Sequence, residues 1–228
     1  FPDGRGYAGQ LTFNDNAMIG VMNLVKDIVD EKPLFRFVPA HLRQRCAGAL
    51  DRGISCILRC QVIVEGVPTS WCAQHDRHTL APCRGRSYEL PSLSGMESVG
   101  IVRFLMRIEN PDEPVKRAIR SAVAWFKRVE LRGIRVERKI EEGQPGGMDT
   151  VVVRDPRAPS IWARFYDLHS NQPIFSSRDG VPRANLAEIS HERRNGYSWL
   201  GPYARVLLDE DLPRWRARNT AGAHGTVK

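Results

Sequence analysis

The sequence predicts an all-α fold, a solenoid or toroid of stacked helices, from three observations. Apolar residues recur at helical spacing in four segments; each such segment is apolar on one face only; and the stretches between them are polar, aromatic-rich and punctuated by Gly and Pro. A helix with one apolar face must lay that face on a neighbour to remove it from water, so successive helices stack. Loops gathered at one end then form the working surface. A chain of 228 residues, 42% hydrophobic, is long enough to bury a sizeable core in one domain. That domain is expected over 1–215, followed by a disordered tail over 216–228.

The elements follow in order. Residues 16–30 place Met18, Val21, Met22, Val25, Ile28 and Val29 on one stripe, and residues 40–62 repeat the pattern with Leu42, Cys46, Ala49, Leu50, Ile54, Ile57 and Leu58. Between them Pro33 stops the first helix. The apolar, β-branched run after Gln61 predicts a short hairpin turning at Glu65-Gly66. Ser94 with Glu97 three residues on forms a capping box ahead of Val99, Val102, Leu105 and Met106, predicting a helix over about 95–107. Asn110-Pro111 opens a fourth helix, with Val115, Ala118, Ile119, Ala122, Val123 and Phe126 on one face. Residues 132–160, rich in Gly, Pro and charge, read as a long excursion around short strands, one of them near 151–153. Apolar periodicity is lost from about Arg216.

A formal charge of +8 and a pI near 9.6 favour a polyanionic partner without choosing which. The five cysteines show neither Cys-x-x-Cys nor paired Cys/His spacing, which argues against a zinc site. Buried free thiols are the simplest reading; a Cys72–Cys83 bridge is the alternative in an oxidising compartment. No apolar run approaches the roughly 20 residues that span a bilayer. The start at Phe1, with no signal peptide, reads as that of a fragment.

Several polar strings carry chemistry. Thr12-Phe13-Asn14-Asp15-Asn16 concentrates a carboxylate and two amides just before a helix, either as oxygen ligands for Ca²⁺ or as an N-cap. Trp71-Cys72-Ala73-Gln74-His75 offers a ring to stack on a sugar and two groups to bond its hydroxyls, or else a core Trp and an incidental His. Arg86, near Glu89 and Glu97, either binds a carboxylate or pairs with Glu89. From Arg164 to Arg194 there are five arginines interleaved with aromatics and amides, and every basic residue between Lys139 and Lys228 is Arg. Arg presents a planar fork to a carboxylate where Lys presents a point charge, so this segment is suited to oriented anions.

Taken together, the strings Thr12-Phe13-Asn14-Asp15-Asn16, Trp71-Cys72-Ala73-Gln74-His75, Arg86-Ser87-Tyr88-Glu89-Leu90, Arg164-Phe165-Tyr166-Asp167-Leu168, Arg178-Asp179-Gly180 and Glu192-Arg193-Arg194-Asn195-Gly196-Tyr197 resemble, in order and spacing, polysaccharide lyase family ten pectate lyases. The resemblance covers about 1–203. It implies an (α/α) toroid or barrel of paired helices with a few short strands in its loops, and calcium-dependent anti β-elimination of polygalacturonate. It implies Asp15 and Asn16 as calcium ligands, Arg86 as the Brønsted base, and Arg164, Arg178 and Arg193 as holders of substrate carboxylates. Trp71, Gln74 and His75 fall in a cleft motif.

Two departures stand out: the family domain begins with helices upstream of Phe1, including a further acidic residue of the calcium region, and Leu200 stands where an aromatic or Gly is expected. The reading is therefore a fragment of a secreted, monomeric, calcium-dependent pectate lyase, extracellular or periplasmic, whose partner is an acidic polysaccharide and neither nucleic acid nor membrane. A non-catalytic binder of acidic polysaccharide is the reading from a different class. Abstraction of the C5 proton leaves an enolate-like dianion, and cations that meet this charge as it grows accelerate the step. Guanidinium normally keeps its proton, so Arg86 acts as a base only if crowding by other cations disfavours its charge.

Overall fold

The computed structural model describes residues 6–221. The helices read from periodicity form: α1 is Ala17–Val29, α2 Ala40–Cys60, α3 Glu97–Met106 and α4 Glu113–Arg128. Two shorter ones, α5 His191–Gly196 and α6 Leu212–Ala221, have no clear apolar stripe to announce them. α6 takes in the first residues of the expected tail, and 222–228 lie outside the described residues. The helix starts are local chemistry. Asp112 Oδ1 accepts from the Val115 backbone N–H at 3.0 Å to cap α4, one residue beyond Pro111. Ser94 Oγ accepts from the Glu97 N–H at 3.0 Å and donates to the Glu97 carboxylate, which is only half of the expected box: Met96 is the N-cap of α3, and the Ser94 N–H donates to the Trp71 carbonyl instead.

α1 packs on α2 and α3, α3 on α4, and α4 back on α2. The core they enclose contains Ile57, Ile101, Leu105, Ile119 and Phe126, with Trp162 and Tyr166 brought in from short strands between the helices. Along α1 the stripe is only partly as expected: Met22 is buried but Val21 is 60% exposed, and Lys26 is buried with its ammonium on Asp30.

The all-α toroid is not what forms. Among the described residues no closed ring of helix pairs exists, and strands appear throughout as small two-stranded antiparallel sheets. β1 Leu11–Thr12 pairs with β4 Gln74–His75, and β2 Ile63–Val64 with β3 Val67–Pro68. β5 Leu93–Ser94 pairs with β9 Phe165–Tyr166. β6 Ile134–Ile140 and β7 Met148–Arg154 form a hairpin with seven residues in each strand, inside the expected excursion. β8 Trp162–Ala163 pairs with β12 Leu200–Gly201, and β10 Phe175–Ser176 with β11 Pro182–Arg183. The turn at Glu65-Gly66 is as expected, both residues being left-handed at φ 50 and 78.

The reason for the error is physical. One-sided helices demand a partner, but they do not specify another helix, and here buried two-residue strands supply much of the covering surface. Three of the pairs join distant segments, His75 to Leu11, Tyr166 to Leu93 and Ala163 to Leu200. Gly95 permits one such approach: a Cβ there would stand 2.1 Å from the Ala163 carbonyl oxygen.

Trp71 belongs to this scaffold. Its side chain is fully buried and its indole N–H donates to the Ile57 carbonyl at 2.7 Å, so no ring face is left for a sugar. Trp71→Ala should therefore cost about 3–5 kcal/mol of folding stability in urea denaturation, as for other large core truncations. A variant of unchanged stability with weakened saccharide binding would instead restore the stacking role.

Candidate functional site

The site begins at the entry to α1. Asp15 (φ 51, ψ 29) and Asn16 (φ 59, ψ 24) are both left-handed, a conformation that Asp and Asn tolerate better than most residues. No side-chain cap bond is made by Asn14, Asp15 or Asn16, so N-capping does not explain them. Instead the backbone lifts the Asp15 carboxylate outward to 60% exposure, while the N–H groups of Phe13 and Asn14 both donate to Ala73 O and fix the turn.

Arg164, which lies between β8 and β9, reaches this turn from below. Its Nη2 donates to Asn14 Oδ1 at 2.9 Å, Asp15 Oδ1 at 3.0 Å and Glu97 Oε1 at 2.5 Å, and its guanidinium lies 4.5 Å from the Tyr197 ring centroid. Burial opposes its charge, but Glu97, Tyr197 and Asp15 together more than offset that and hold the guanidinium above its ordinary range. Only 5% of the side chain is exposed, so Arg164 departs from its expected part as a holder of substrate: in the free protein it is an internal anchor.

The Tyr197 hydroxyl donates to Glu89 Oε1 at 2.9 Å, and burial pushes its ionisation up. Glu89, buried, also accepts from the Arg86 N–H at 2.8 Å and from Arg86 Nη1 at 3.2 Å. Arg86 Nη1 further meets the Tyr88 hydroxyl at 3.3 Å. The Tyr88 contact first, and then the Glu89 charge, raise the Arg86 pKa, the opposite of what a resident base needs. Arg86 still shows 42% of its side chain to solvent.

Tyr88 gathers the rest. Arg193 lies 4.5 Å and Arg178 5.9 Å from its ring centroid. Both turn their Nε and Nη2 edges to one exposed carboxylate, Glu192; Arg178 does so at 3.2 and 2.9 Å. Arg193 first, then Arg178, draw the Glu192 carboxyl down to about 2. The structure thus unites Arg86, Arg178 and Arg193 around Tyr88 and links them through Tyr197 to Arg164 and Asp15. Formal charge balances across these groups: Arg86, Arg164, Arg178 and Arg193 against Asp15, Glu89, Glu97 and Glu192, four minus four.

Gln74 and His75 do not join them at the surface. Gln74 Oε1 accepts from Thr12 Oγ1 at 2.9 Å, and its amide nitrogen is buried without a partner. His75 is fully buried, with Nδ1 on the Leu80 carbonyl and Nε2 accepting from the Cys72 N–H, the pattern of a neutral ring, and burial lowers its pKa. Both stitch β4 into the loops, so the expected hydrogen bonding to sugar hydroxyls is corrected to a structural part. Residues that sequence reasoning gave no role are Tyr88, Tyr197 and Glu192. All three sit inside the motif strings, but a loop tyrosine reads equally well as core. All five cysteines are free, and Leu200 packs against the aromatic cluster around Trp199.

For Ca²⁺ the chemistry of the donors is the test. Asp15 offers an outward carboxylate whose oxygens each accept only one hydrogen bond, and Asn16 an adjacent exposed amide. A hard cation wants six to eight oxygens, and among the described residues no cluster of three or more Asp, Glu, His or Cys stands ready. Asp15 and Asn16 are oxygen donors of the right kind but too few to hold such an ion by themselves.

The family model for pectic acid lyase matches residues 1–208. This chain belongs to the pectic acid lyase family. A family 10 polysaccharide lyase from Cellvibrio cellulosa is 34% identical with a TM-score of 0.83, the match covering 93% of this chain and 65% of that one. A point variant of that lyase, solved in complex with trigalacturonic acid, matches equally well. The chain thus spans a little under two thirds of the length of these family relatives. None of the curated proteins matches it.

Family motifs alone do not place Arg193; its short helix must be held. α5 has six residues, too few to stand alone in water. Asp149 on β7 holds it, accepting from Arg194 Nε and Nη2 at 2.7 Å each and from Asn195 Nδ2 at 2.8 Å. Arg194 chiefly, with Asn195 and the Thr150 N–H, pulls the Asp149 carboxyl well below its ordinary 3.8. A depressed carboxylate stabilises above its unfolded pKa and loses that contribution as pH falls through the folded one. Asp149→Asn should then lower stability by about 1–3 kcal/mol near neutrality and flatten the acid limb of the stability–pH curve below about pH 4. An unchanged acid limb in thermal melts would show that another group controls it.

Proposed function

We propose that this chain carries the catalytic surface of a secreted, calcium-dependent pectate lyase that cleaves polygalacturonate by anti β-elimination. Family membership and the trigalacturonic acid bound to the Cellvibrio lyase variant support the substrate class. The observation that carries the reading is the gathering of Arg86 and Arg178, which reach solvent, and the nearly buried Arg193 around Tyr88, linked through Tyr197 and Arg164 to an outward Asp15 carboxylate.

Arg178 and Arg193 hold the Glu192 carboxylate as they would hold a uronate, so an entering carboxylate exchanges with Glu192 or takes the remaining guanidinium N–H groups. Because the site is formally neutral, each uronate adds uncompensated negative charge, which is the physical case for a cation at Asp15 and Asn16. When bound, calcium supplies Lewis-acid stabilisation of the uronate carboxylate as charge grows on it. In the elimination the C5–H bond breaks, the C4=C5 double bond forms, and the C4–O bond to the neighbouring sugar is released. On the family resemblance Arg86 takes the proton, and to do so it must leave Glu89, whose bond to Tyr197 keeps that carboxylate occupied. The base role rests on the family resemblance; orientation of a carboxylate is what its free-state geometry favours. No helix of the described residues is long and apolar enough to cross a membrane, and secretion is part of the proposal.

Absorbance of the unsaturated product on polygalacturonate is the test. Product should form with Ca²⁺ and vanish in excess chelator; Arg86→Ala should abolish turnover while leaving binding measurable. Because Tyr88 and Glu89 raise the Arg86 pKa, the rate should climb with pH without a neutral plateau. Undiminished activity in chelator removes the metal from the account. Binding without product under every condition leaves the non-catalytic binder, and an Ala variant with normal turnover but weaker affinity makes Arg86 a holder of substrate.

A further inference from the structure

α2 carries four arginines, of which Arg43 bonds to Glu31. The other three, Arg45, Arg52 and Arg59, are exposed, and none makes a side-chain hydrogen bond or ion pair with the described residues. Some surface arginines elsewhere find carboxylates, as Arg103 does on Asp211, Arg107 on Asp27 and Arg183 on Asp179, while others, such as Arg117 and Arg154, make no ion pair with the described residues; what sets the α2 arginines apart is that they share one helix. The spacing of the three is regular. Seven residues advance a helix by about 10.5 Å and fall roughly 20° short of two full turns, so the row drifts by only about 40° from Arg45 to Arg59. It runs along the side of α2 away from Leu50 and Ile57, which are buried against the core. The lone acid of the helix, Asp51, pairs with none of them.

We propose that this row is a second, non-catalytic binding surface for an extended polyuronate, the same polymer assigned above to the Tyr88 site; the inference rests on that assignment. Three occupants fit a basic row by charge, and the neighbouring residues discriminate. A membrane surface needs a run of large apolar side chains beside the basic ones, whereas here the neighbours along the row are His41, Gly48, Ala49, Ser55 and Cys56, and Leu42 at one end is the single large apolar side chain. Single-stranded nucleic acid is gripped by aromatic stacking as well as charge, and α2 contains no Phe, Tyr or Trp. A carboxylate on every sugar of a flexible chain asks only for forks at intervals, which Arg supplies better than Lys. A polymer held along α2 is kept at high local concentration around a protein whose site engages a few sugars at a time.

The experiment compares the protein with a variant carrying Arg45→Gln, Arg52→Gln and Arg59→Gln, first checked for an unchanged melting temperature. Two readouts are needed: KM on long polygalacturonate and on short oligogalacturonates, and retardation in native gels containing polygalacturonate, dextran sulfate or single-stranded DNA. The variant should show KM raised roughly three- to tenfold on the polymer, unchanged kcat, unchanged kinetics on short oligomers, and lost retardation by polygalacturonate. Unchanged polymer KM and retardation overturn the proposal. Equal loss of retardation by dextran sulfate and DNA overturns the polyuronate assignment in favour of a general polyanion surface. If the unmodified protein turns over neither substrate, the lyase reading fails, and gel retardation alone decides this one.

Discussion

Everything in the site leans on the buried guanidinium of Arg164. It touches the turn before α1 through Asn14 and Asp15, the first turn of α3 through Glu97, and the segment after α5 through Tyr197. Those three pieces lie far apart in sequence, and its neighbours Ala163 and Phe165 are fixed by strand pairs to Leu200 and Ser94. A charge that deep is tolerable only when carboxylates and a ring surround it. Removing any one partner leaves the others facing an uncompensated charge, so the group acts as a unit.

From that anchor the polarity of the site follows. The buried carboxylates Glu97 and Glu89 lie with the buried Arg164 and Arg193, while Arg86 and Arg178 reach solvent together with Asp15 and Glu192, so charge is balanced in both layers. Glu192 is an exposed carboxylate tied to two arginines. It keeps their forks aligned before substrate arrives and competes with substrate for them.

The helices were legible because their periodicity is local: α4, with its uninterrupted apolar face, lies where the pattern puts it. The toroid was not, because a buried strand of two residues has no period to read, and pairs such as Leu93 with Tyr166 depend on contacts no local window contains. In the site, the arginine strings pointed to the right neighbourhood, since forks interleaved with aromatics have few structural uses. Their division of labour was hidden: Arg164 and Arg178 look alike in sequence, and only burial separates an anchor from a surface fork. Trp71 and His75 misled for the converse reason, since a polar string beside an aromatic also describes a loop that folds into the core.

That division is the central claim, and unfolding free energies of Arg164→Lys and Arg178→Lys measured side by side in urea test it most directly. Lysine keeps the charge and loses the fork. At the buried position this should cost about 3 kcal/mol or more, as when a buried ionic network loses a member, while at the exposed position the change should stay within about 0.5 kcal/mol. Equal, small effects at both positions would contradict the account and return Arg164 to the surface, as a residue that serves the substrate and not the fold.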